Sequence, residues 1–223
     1  MDGGKVSVII PTMNEEGSIG LVIDEVRKAL GPRPHEILVV DTASKDRTRE
    51  IATERGARVV DEPRRGYGRA YKTGFESATG EFIATLDADM TYPASEIPAL
   101  LDMLEGKGLD FITTNRFARM EKGAMSAKHR FGNWVLSTAT RILFRVKVKD
   151  SQSGMWVFRR SVLKDLDLKS DQMSLSEEIK IEAFKKARAA EVPITYRARV
   201  GEVKLNSWRD GSGNLKYLFT KRF

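Results

Sequence analysis

Asp87-Ala88-Asp89 closes an apolar, strand-like run, Glu81-Phe82-Ile83-Ala84-Thr85-Leu86. Alternate residues of an extended segment point the same way, so two carboxylates leaving a buried strand converge on one hard cation. Mg²⁺ and Mn²⁺ are held by one or two carboxylates together with phosphate oxygens, which points to a metal-bound phosphorylated substrate. Asp87 and Asp89 are the expected metal ligands, with Ala88 between them at the substrate. An ordinary acidic strand-to-loop turn would carry the same residues, so the surrounding segments decide.

Those carboxylates need a scaffold, and the first half of the chain spells one out. Residues 6–10 read as a buried strand stopped by Pro11, and Ile19, Val22, Ile23, Val26 and Leu30 follow helical spacing up to Gly31-Pro32. Residues 37–41 form a second strand, 46–55 a helix ended by Gly56, and 58–60 a third strand. A helix opens at residues 65–68 and runs to about 78, the fourth strand carries the carboxylate pair, 96–104 is helical and 111–114 a strand. Near-continuously apolar strands alternating with helices predict an α/β fold, a mainly parallel sheet with helices on both faces. Ligands of such sheets bind beyond the carboxyl ends of the strands, where residues 11–15, 41–46 and 87–89 all fall.

The second half changes character. Phe131, Trp134, Val135, Thr138, Ala139, Ile142 and Leu143 make an apolar stripe at helical spacing, with Lys128, Arg130, Arg141 and Arg145 nearby. Such a stripe either packs on a core or, with these basic flanks, lies in a membrane interface. Residues 174–188 read as a helix, 192–196 as a strand, and the tail around Asp210-Gly211-Ser212-Gly213 as a loop.

With 223 residues the chain is most simply one domain with one sizeable core. Cysteine is absent, which excludes disulfides, thiolate zinc sites and a cysteine nucleophile. His35 and His129 stand apart and read as packing or surface residues. No run reaches the roughly 18 apolar residues of a membrane span, and Met1 to Gly4 lead straight into a strand, so a soluble, cytoplasmic body is expected. The net charge of +7 favours anionic partners such as nucleotide sugars or acidic lipid surfaces. Nucleic acid is not expected, because only Trp208-Arg209 interleaves an aromatic with the basic residues.

Two nucleotide folds can be set aside. No GxxxxGKS or GxxxxGKT segment is present, and Gly66-Tyr67-Gly68-Arg69-Ala70-Tyr71 lacks the third glycine of a dinucleotide fingerprint and follows the third strand. The ordered set resembles instead a family 2 glycosyltransferase with the Rossmann-like GT-A fold, of the polyprenyl- or dolichyl-phosphate sugar synthase type. The resemblance is carried by Val8 to Glu15, Val39-Val40-Asp41, Ser44 to Thr48, Gly66 through Ala70 to Gly74, and Asp87-Ala88-Asp89. It continues through Asn115-Arg116, Asp150-Ser151-Gln152-Ser153-Gly154 and Gly201 to Leu205, nearly the whole chain in the family's order.

The resemblance implies roles. Pro11, Thr12, Asn14 and Glu15 match the loop that holds the donor's base and ribose, Asp41 the carboxylate facing the nucleobase, and Asp46 and Gly66 neighbouring donor positions. Asp87 and Asp89 match the Mg²⁺ or Mn²⁺ motif, and Arg116 a phosphate-stabilising cation suited to that job by its planar fork of donors. Asp150 and Ser153 match the sugar and acceptor side, with Asp150 the candidate base or acceptor-orienting group beside catalytic Asp89 and Arg116. Arg199 and Lys204 would hold phosphates. The implied reaction is inverting, metal-dependent transfer of a hexose from a UDP- or GDP-sugar to a polyprenyl phosphate; the alternative is a soluble or glycan acceptor. Residues 1–116 would form the nucleotide-sugar half and 117–223 the acceptor half of one GT-A domain, peripheral on the cytoplasmic face of a membrane. Thr42-Ala43 and Met90-Thr91 stand where many relatives carry Asp-Asp or Asp-Gly and Leu-Gln, which leaves base and sugar open.

Overall fold

In the computed structural model, which describes residues 4–201 and 207–223 with side chains from 211 onward in the second segment, the alternation expected of the first strand decides the layering. Along β1 (Val6–Thr12), Val6, Val8 and Ile10 enter one apolar cluster while Ile9 enters another. The first cluster is completed by α1 (Ile19–Leu30), α2 (Thr48–Glu54) and α4 (Ile97–Gly106). The second takes in α3 (Tyr67–Ser77) and α6 (Leu175–Lys186). The sheet is thus covered on both faces, and each fully buried Ile or Leu contributes about 1.5–3 kcal/mol relative to exposure.

The remaining strands are β2 (His35–Asp41), β3 (Arg58–Asp61), β4 (Phe82–Thr85), β5 (Phe111–Met120), β6 (Trp156–Arg159) and β7 (Ala189–Tyr196). They join β1 in one seven-stranded sheet of order β3-β2-β1-β4-β6-β5-β7. Every strand but β6 shares one direction; β6 runs antiparallel to both β4 and β5. The mainly parallel α/β architecture agrees with the sequence reading. The antiparallel β6 was not foreseen: it is four residues long and follows an irregular stretch, residues 145–155. Its reversal brings residues 150–155, which precede it, to the carboxyl ends of the other strands. Thr12 pairs with Asp41 in register, so the ends of β1 and β2 are level.

Two other expectations are corrected. The tail around Gly211 and Gly213 is part of α7 (Ser207–Arg222) and not a loop. Tertiary contacts override glycine's poor helix propensity: Leu218 joins Phe144, Val146, Val148 and Ile181, and Lys221 reaches Glu178 at 3.1 Å and Glu182 at 3.0 Å. The stripe on α5 (Ala127–Phe144) is divided: Ala139 and Leu143 pack on the cluster around Phe144, and the rest is only partly core. Leu136, Ser137, Thr140 and Phe144 face inward, whereas Phe131, Trp134 and Ile142 are 65%, 55% and 71% exposed.

Candidate active site

Two acidic segments, at the ends of β2 and β4, lie at the carboxyl edge of the sheet beside the β1 loop. Asp41, at the end of β2, is fully buried; its Oδ2 accepts from the Ser44 backbone N–H and from Arg49 Nη1, each at 3.1 Å. Its Oδ1 is buried with no partner among the described residues. A buried acceptor left open in this way fits a donor edge supplied by a ligand. Ala43, two residues on, has φ +57°, left-handed backbone that a non-glycine residue adopts only where its surroundings impose it.

The β1 loop packs against this turn. Asn14 adopts φ +55°, donates from its backbone N–H to Ser44 Oγ at 2.8 Å and accepts from the Lys45 N–H at 2.7 Å. Glu15 N–H donates to Thr48 Oγ1 at 2.7 Å, and Asp46 accepts from the Glu16 and Thr48 backbones at 3.1 and 3.0 Å. Burial raises the Asp46 carboxyl, but the bonds from Thr48 and Glu16 outweigh it and hold the group low. Asp46 therefore ties the two loops together at the start of α2. Gly66, at φ +153°, lies so close to Asp171 that a Cβ would stand 2.3 Å from its carbonyl oxygen. Only glycine permits that approach between α3 and the loop before α6.

Asp87 and Asp89 follow β4 as expected. Asp89 is buried; its Oδ1 accepts from Thr91 N–H at 3.0 Å and Thr91 Oγ1 at 2.6 Å, and its Oδ2 lies 2.7 Å from Arg199 Nη2. Met90, between Asp89 and Thr91, has φ +65°. Asp87 is half-buried, and burial followed by repulsion from Asp89 pushes its carboxyl up to about 7, against the pull of Arg199 and Arg116. Two carboxylates in mutual repulsion at a strand end are a fit for a divalent cation. No group of three or more His, Asp or Glu side chains suited to a metal gathers among the described residues. Asp87 and Asp89 would accordingly hold Mg²⁺ or Mn²⁺ with phosphate and water completing the shell.

Arg116, on β5, is buried, and its backbone N–H, Nε and Nη2 all donate to Asp150 at 3.0, 2.8 and 2.8 Å. Its guanidinium stacks over Tyr196 at 5.3 Å. Both Asp150 oxygens are engaged, and although burial raises the group, the Arg116 charge and bonds hold it below the usual carboxylate range. Ser153 shares a 2.6 Å hydroxyl bond with Thr114. Gly154 N–H donates to Tyr92 OH at 2.7 Å, and a Cβ there would lie 2.5 Å from Tyr67 OH and 3.3 Å from Asp87. Pro11, Thr12, Glu15, Asp41, Ala88, Arg116, Asp150, Ser153 and Arg199 thus gather along the strand ends; Lys204 lies outside the described residues.

Sequence reasoning missed the support beneath this wall. Lys180 of α6 is fully buried and donates to the carbonyls of Asp150, Ser151 and Ser153 at 3.0, 2.8 and 2.7 Å. Burial pushes its ammonium down to about 7 against the attraction of Asp150. Glu177, also fully buried, accepts from Gln152 Nε2 at 2.6 Å and is pushed up to about 8 by burial. The available signal was the lack of a single stripe in Leu175, Ile179, Ile181 and Ala183, which marks a helix buried on several sides with its charges included.

Carboxylates beyond the strand ends of a doubly covered, mainly parallel sheet stand where α/β proteins of this class bind their ligands. The comparisons give the family. Residues 7–167 match the model of glycosyl transferase family 2. The chain belongs to that family. A low-salt glycan biosynthesis hexosyltransferase of Haloferax volcanii is 38% identical over 218 residues, 96% of this chain but 52% of the relative. The chain thus spans about half of that protein. A dolichyl-phosphate hexose transferase of the same organism is 35% identical over 93% of this chain and 89% of its own length. A dolichol-phosphate mannosyltransferase of Pyrococcus furiosus is 30% identical over 90% of this chain and 59% of its own length. The fold is shared, at TM-score 0.80 and 22% identity, with glucosyl-3-phosphoglycerate synthase of Mycobacterium tuberculosis solved with Mn²⁺, UDP-glucose and phosphoglyceric acid, over 98% of this chain and 80% of that one. This is the GT-A arrangement the motifs implied.

Proposed function

We propose that the chain transfers a hexose, with inversion, from a nucleoside-diphosphate sugar to the phosphate of a polyprenyl lipid, using Mg²⁺ or Mn²⁺ at Asp87 and Asp89. The observation that carries this reading is the pairing of two sites along one strand-end edge. Asp41 offers a buried, open oxygen to a base, and Asp87 stands in repulsion beside Asp89 where a donor diphosphate would arrive with its cation. The relatives named for dolichyl-phosphate transfer support the lipid acceptor, and the structural neighbour solved with Mn²⁺ and UDP-glucose supports the donor and the metal.

Residues 1–116 form the donor half. Pro11, Thr12, Asn14 and Glu15 wall the base and ribose, Asp41 accepts from the base, and Asp46 and Gly66 hold the loops that shape the pocket. Residues 117–223 form the acceptor half. When bound, the cation offsets charge on the departing nucleoside diphosphate. Arg116 meets phosphate charge with the Nη1 edge outside its Asp150 pair, and Arg199 serves the same phosphates from beside Asp89. An acceptor phosphate has its second pKa near about 6 and is already anionic at neutral pH, so it needs no strong base. That agrees with Asp150 being committed to Arg116: Asp150 orients the cation and does not take the proton.

The acceptor side adjoins a surface suited to lipid. Among the described residues no helix is long and apolar enough to cross a membrane. On α5, however, Phe131, Trp134 and Ile142 are exposed beside Lys128, Arg130, Arg141 and Arg145, the pattern of an interfacial helix. A groove of about 760 Å³ lined by Met120, Met125, Phe131 and Trp134, with Glu121, Lys122 and Arg130 also on its wall, offers room for a prenyl chain beside its charged head. The protein works peripherally on the cytoplasmic face of its membrane.

The test is a thermal-shift panel of UDP- and GDP-sugars with and without Mn²⁺, followed by transfer to undecaprenyl phosphate in liposomes. A true donor at a hundredfold excess over Kd adds about 2.7 kcal/mol of stability. A donor that shifts melting only with Mn²⁺ and labels the lipid is the expected result. Labelling of a water-soluble phosphate in preference to the lipid would replace the acceptor assignment.

A further inference from the structure

We infer that Lys180 is a positioning residue for the transfer: with Glu191 it clamps the backbone of residues 149–153 and thereby fixes the carboxylate that aims Arg116. The inference rests on the reading of Arg116 as the phosphate-facing cation. Residues 150–155 belong to no helix or strand, so their backbone groups have no ladder to satisfy them. Instead they are gripped from two sides. Glu191 Oε1, on β7, accepts from the Lys149 and Asp150 N–H groups, both at 2.8 Å. Lys180 Nζ, on α6, donates to three carbonyls of the same segment at 2.7–3.0 Å. An ammonium is the side-chain group that presents three donors from one atom, and the three carbonyls converge on it. An apolar side chain at position 180 would take this donor from all three carbonyls and leave Ser153 with Trp156 Nε1 alone.

The clamp reaches the reacting edge by two short routes. Asp150, in the middle of the clamped segment, holds Arg116 through both carboxylate oxygens. Gly154, next along the chain, stands where an added Cβ would be 3.3 Å from Asp87. A loosened segment therefore misplaces Arg116 and the wall beside Asp87 without touching β1 and β2, which carry the base-facing residues.

The test is a double-mutant cycle read as initial rates of transfer to undecaprenyl phosphate from UDP-glucose or GDP-mannose, whichever turns over faster, below the melting onset of every variant. Lys180→Met is expected to lower kcat about thirtyfold with donor KM changed less than about threefold, and to cost less than about threefold more in an Arg116→Ala background. Glu191→Ala, at the partly exposed side of the clamp, should cost about fivefold alone and almost nothing after Arg116→Ala. Its cycle decides the matter if Lys180→Met does not fold. Losses that multiply in the Arg116→Ala background would show a general structural role and overturn the inference alone. An Arg116→Ala protein as active as the parent would overturn both the reading of Arg116 and the clamp's purpose.

Discussion

Arg116 and Asp150 form a sealed ion pair in which three donors of one residue converge on two oxygens of the other, within 3.0 Å. Arg116 is 6% exposed and Asp150 is fully buried, so neither can fall back on water. Removing one partner of such a pair costs about 3–5 kcal/mol because the other charge stays buried and uncompensated. Asp150→Asn should therefore lower stability by about that much in chemical denaturation. Arg116→Lys keeps the charge but cannot present the parallel fork, and should lower transfer more than tenfold. A lysine variant within about twofold of the parent would remove Arg116 as a phosphate clamp.

The same pair has a pH signature. Burial alone would raise Asp150, but Arg116 outweighs it and the folded-state carboxyl is depressed. A depressed carboxyl contributes stability that is present above its unfolded value, about 3.9, and is lost as pH falls through the folded value. Melting temperature of the parent should fall more steeply below pH about 4 than that of Asp150→Asn. Parallel acid limbs would mean the carboxylate gains nothing from its partner.

Glu177 behaves in the opposite sense. Burial pushes it up to about 8, with Gln152 and Lys180 opposing. Between about pH 4.3 and the folded value the unfolded chain ionises while the folded chain keeps its proton, so this group makes stability fall as pH rises. Glu177→Gln retains an oxygen for the Gln152 bond and removes the titration. Across pH 5 to 8.5 the parent's melting temperature should decline relative to the variant's by several degrees, the other titrating groups being common to both. Coincident curves would show that Glu177 ionises freely in place.

What the sequence made legible was whatever local pattern dictates. Apolar strands ending in Asp41 and Asp87, and helices with one stripe, stand where the spacing put them. Strand β6 was hidden because it is four residues long behind the irregular stretch 145–155, and its reversed direction comes from pairing with β4 and β5. Helix α7 was hidden because Gly211 and Gly213 argue against a helix that Leu218 and Lys221 secure through partners on α5 and α6. The site shows the same divide. Its carboxylates announced themselves by spacing, whereas the embrace of Asp150 by Arg116 and the three-carbonyl grip of Lys180 join residues about thirty positions apart, beyond the reach of periodicity.

Asp89 tests the metal assignment. Asp89→Ala should leave the fold intact, since the residue sits past the end of β4, and should lower transfer a hundredfold or more; loss of leaving-group stabilisation worth several kcal/mol costs that at about 1.4 kcal/mol per decade. The substitution also removes the ion pair between Arg199 and Asp89 Oδ2. EDTA should reproduce the loss in the parent, and added Mn²⁺ should restore the parent but not the variant. Undiminished transfer in EDTA would take the cation out of the reaction.

The exposed face of α5 offers a test of the proposed membrane contact. Trp134 and Ile142 stand 55% and 71% exposed, and Arg141, Arg145 and Lys147 are exposed on the same stretch. Each Lys or Arg close to an anionic bilayer contributes roughly 1 kcal/mol, screened within about 8–10 Å at physiological salt. A few such charges with an aromatic anchor give reversible, salt-sensitive attachment. Replacing Arg141, Arg145 and Lys147 together by glutamate should release the protein from acidic liposomes in sedimentation and abolish the blue shift of tryptophan fluorescence on vesicle addition. Transfer to a long-chain polyprenyl phosphate in vesicles should slow at least tenfold, in proportion to the attachment lost. Transfer to a short, water-soluble polyprenyl phosphate should be preserved, because none of the three cations contacts Asp87, Asp89 or Arg116 in the structure. Equal losses on both acceptors would assign these cations to the active site or the fold and end the membrane reading.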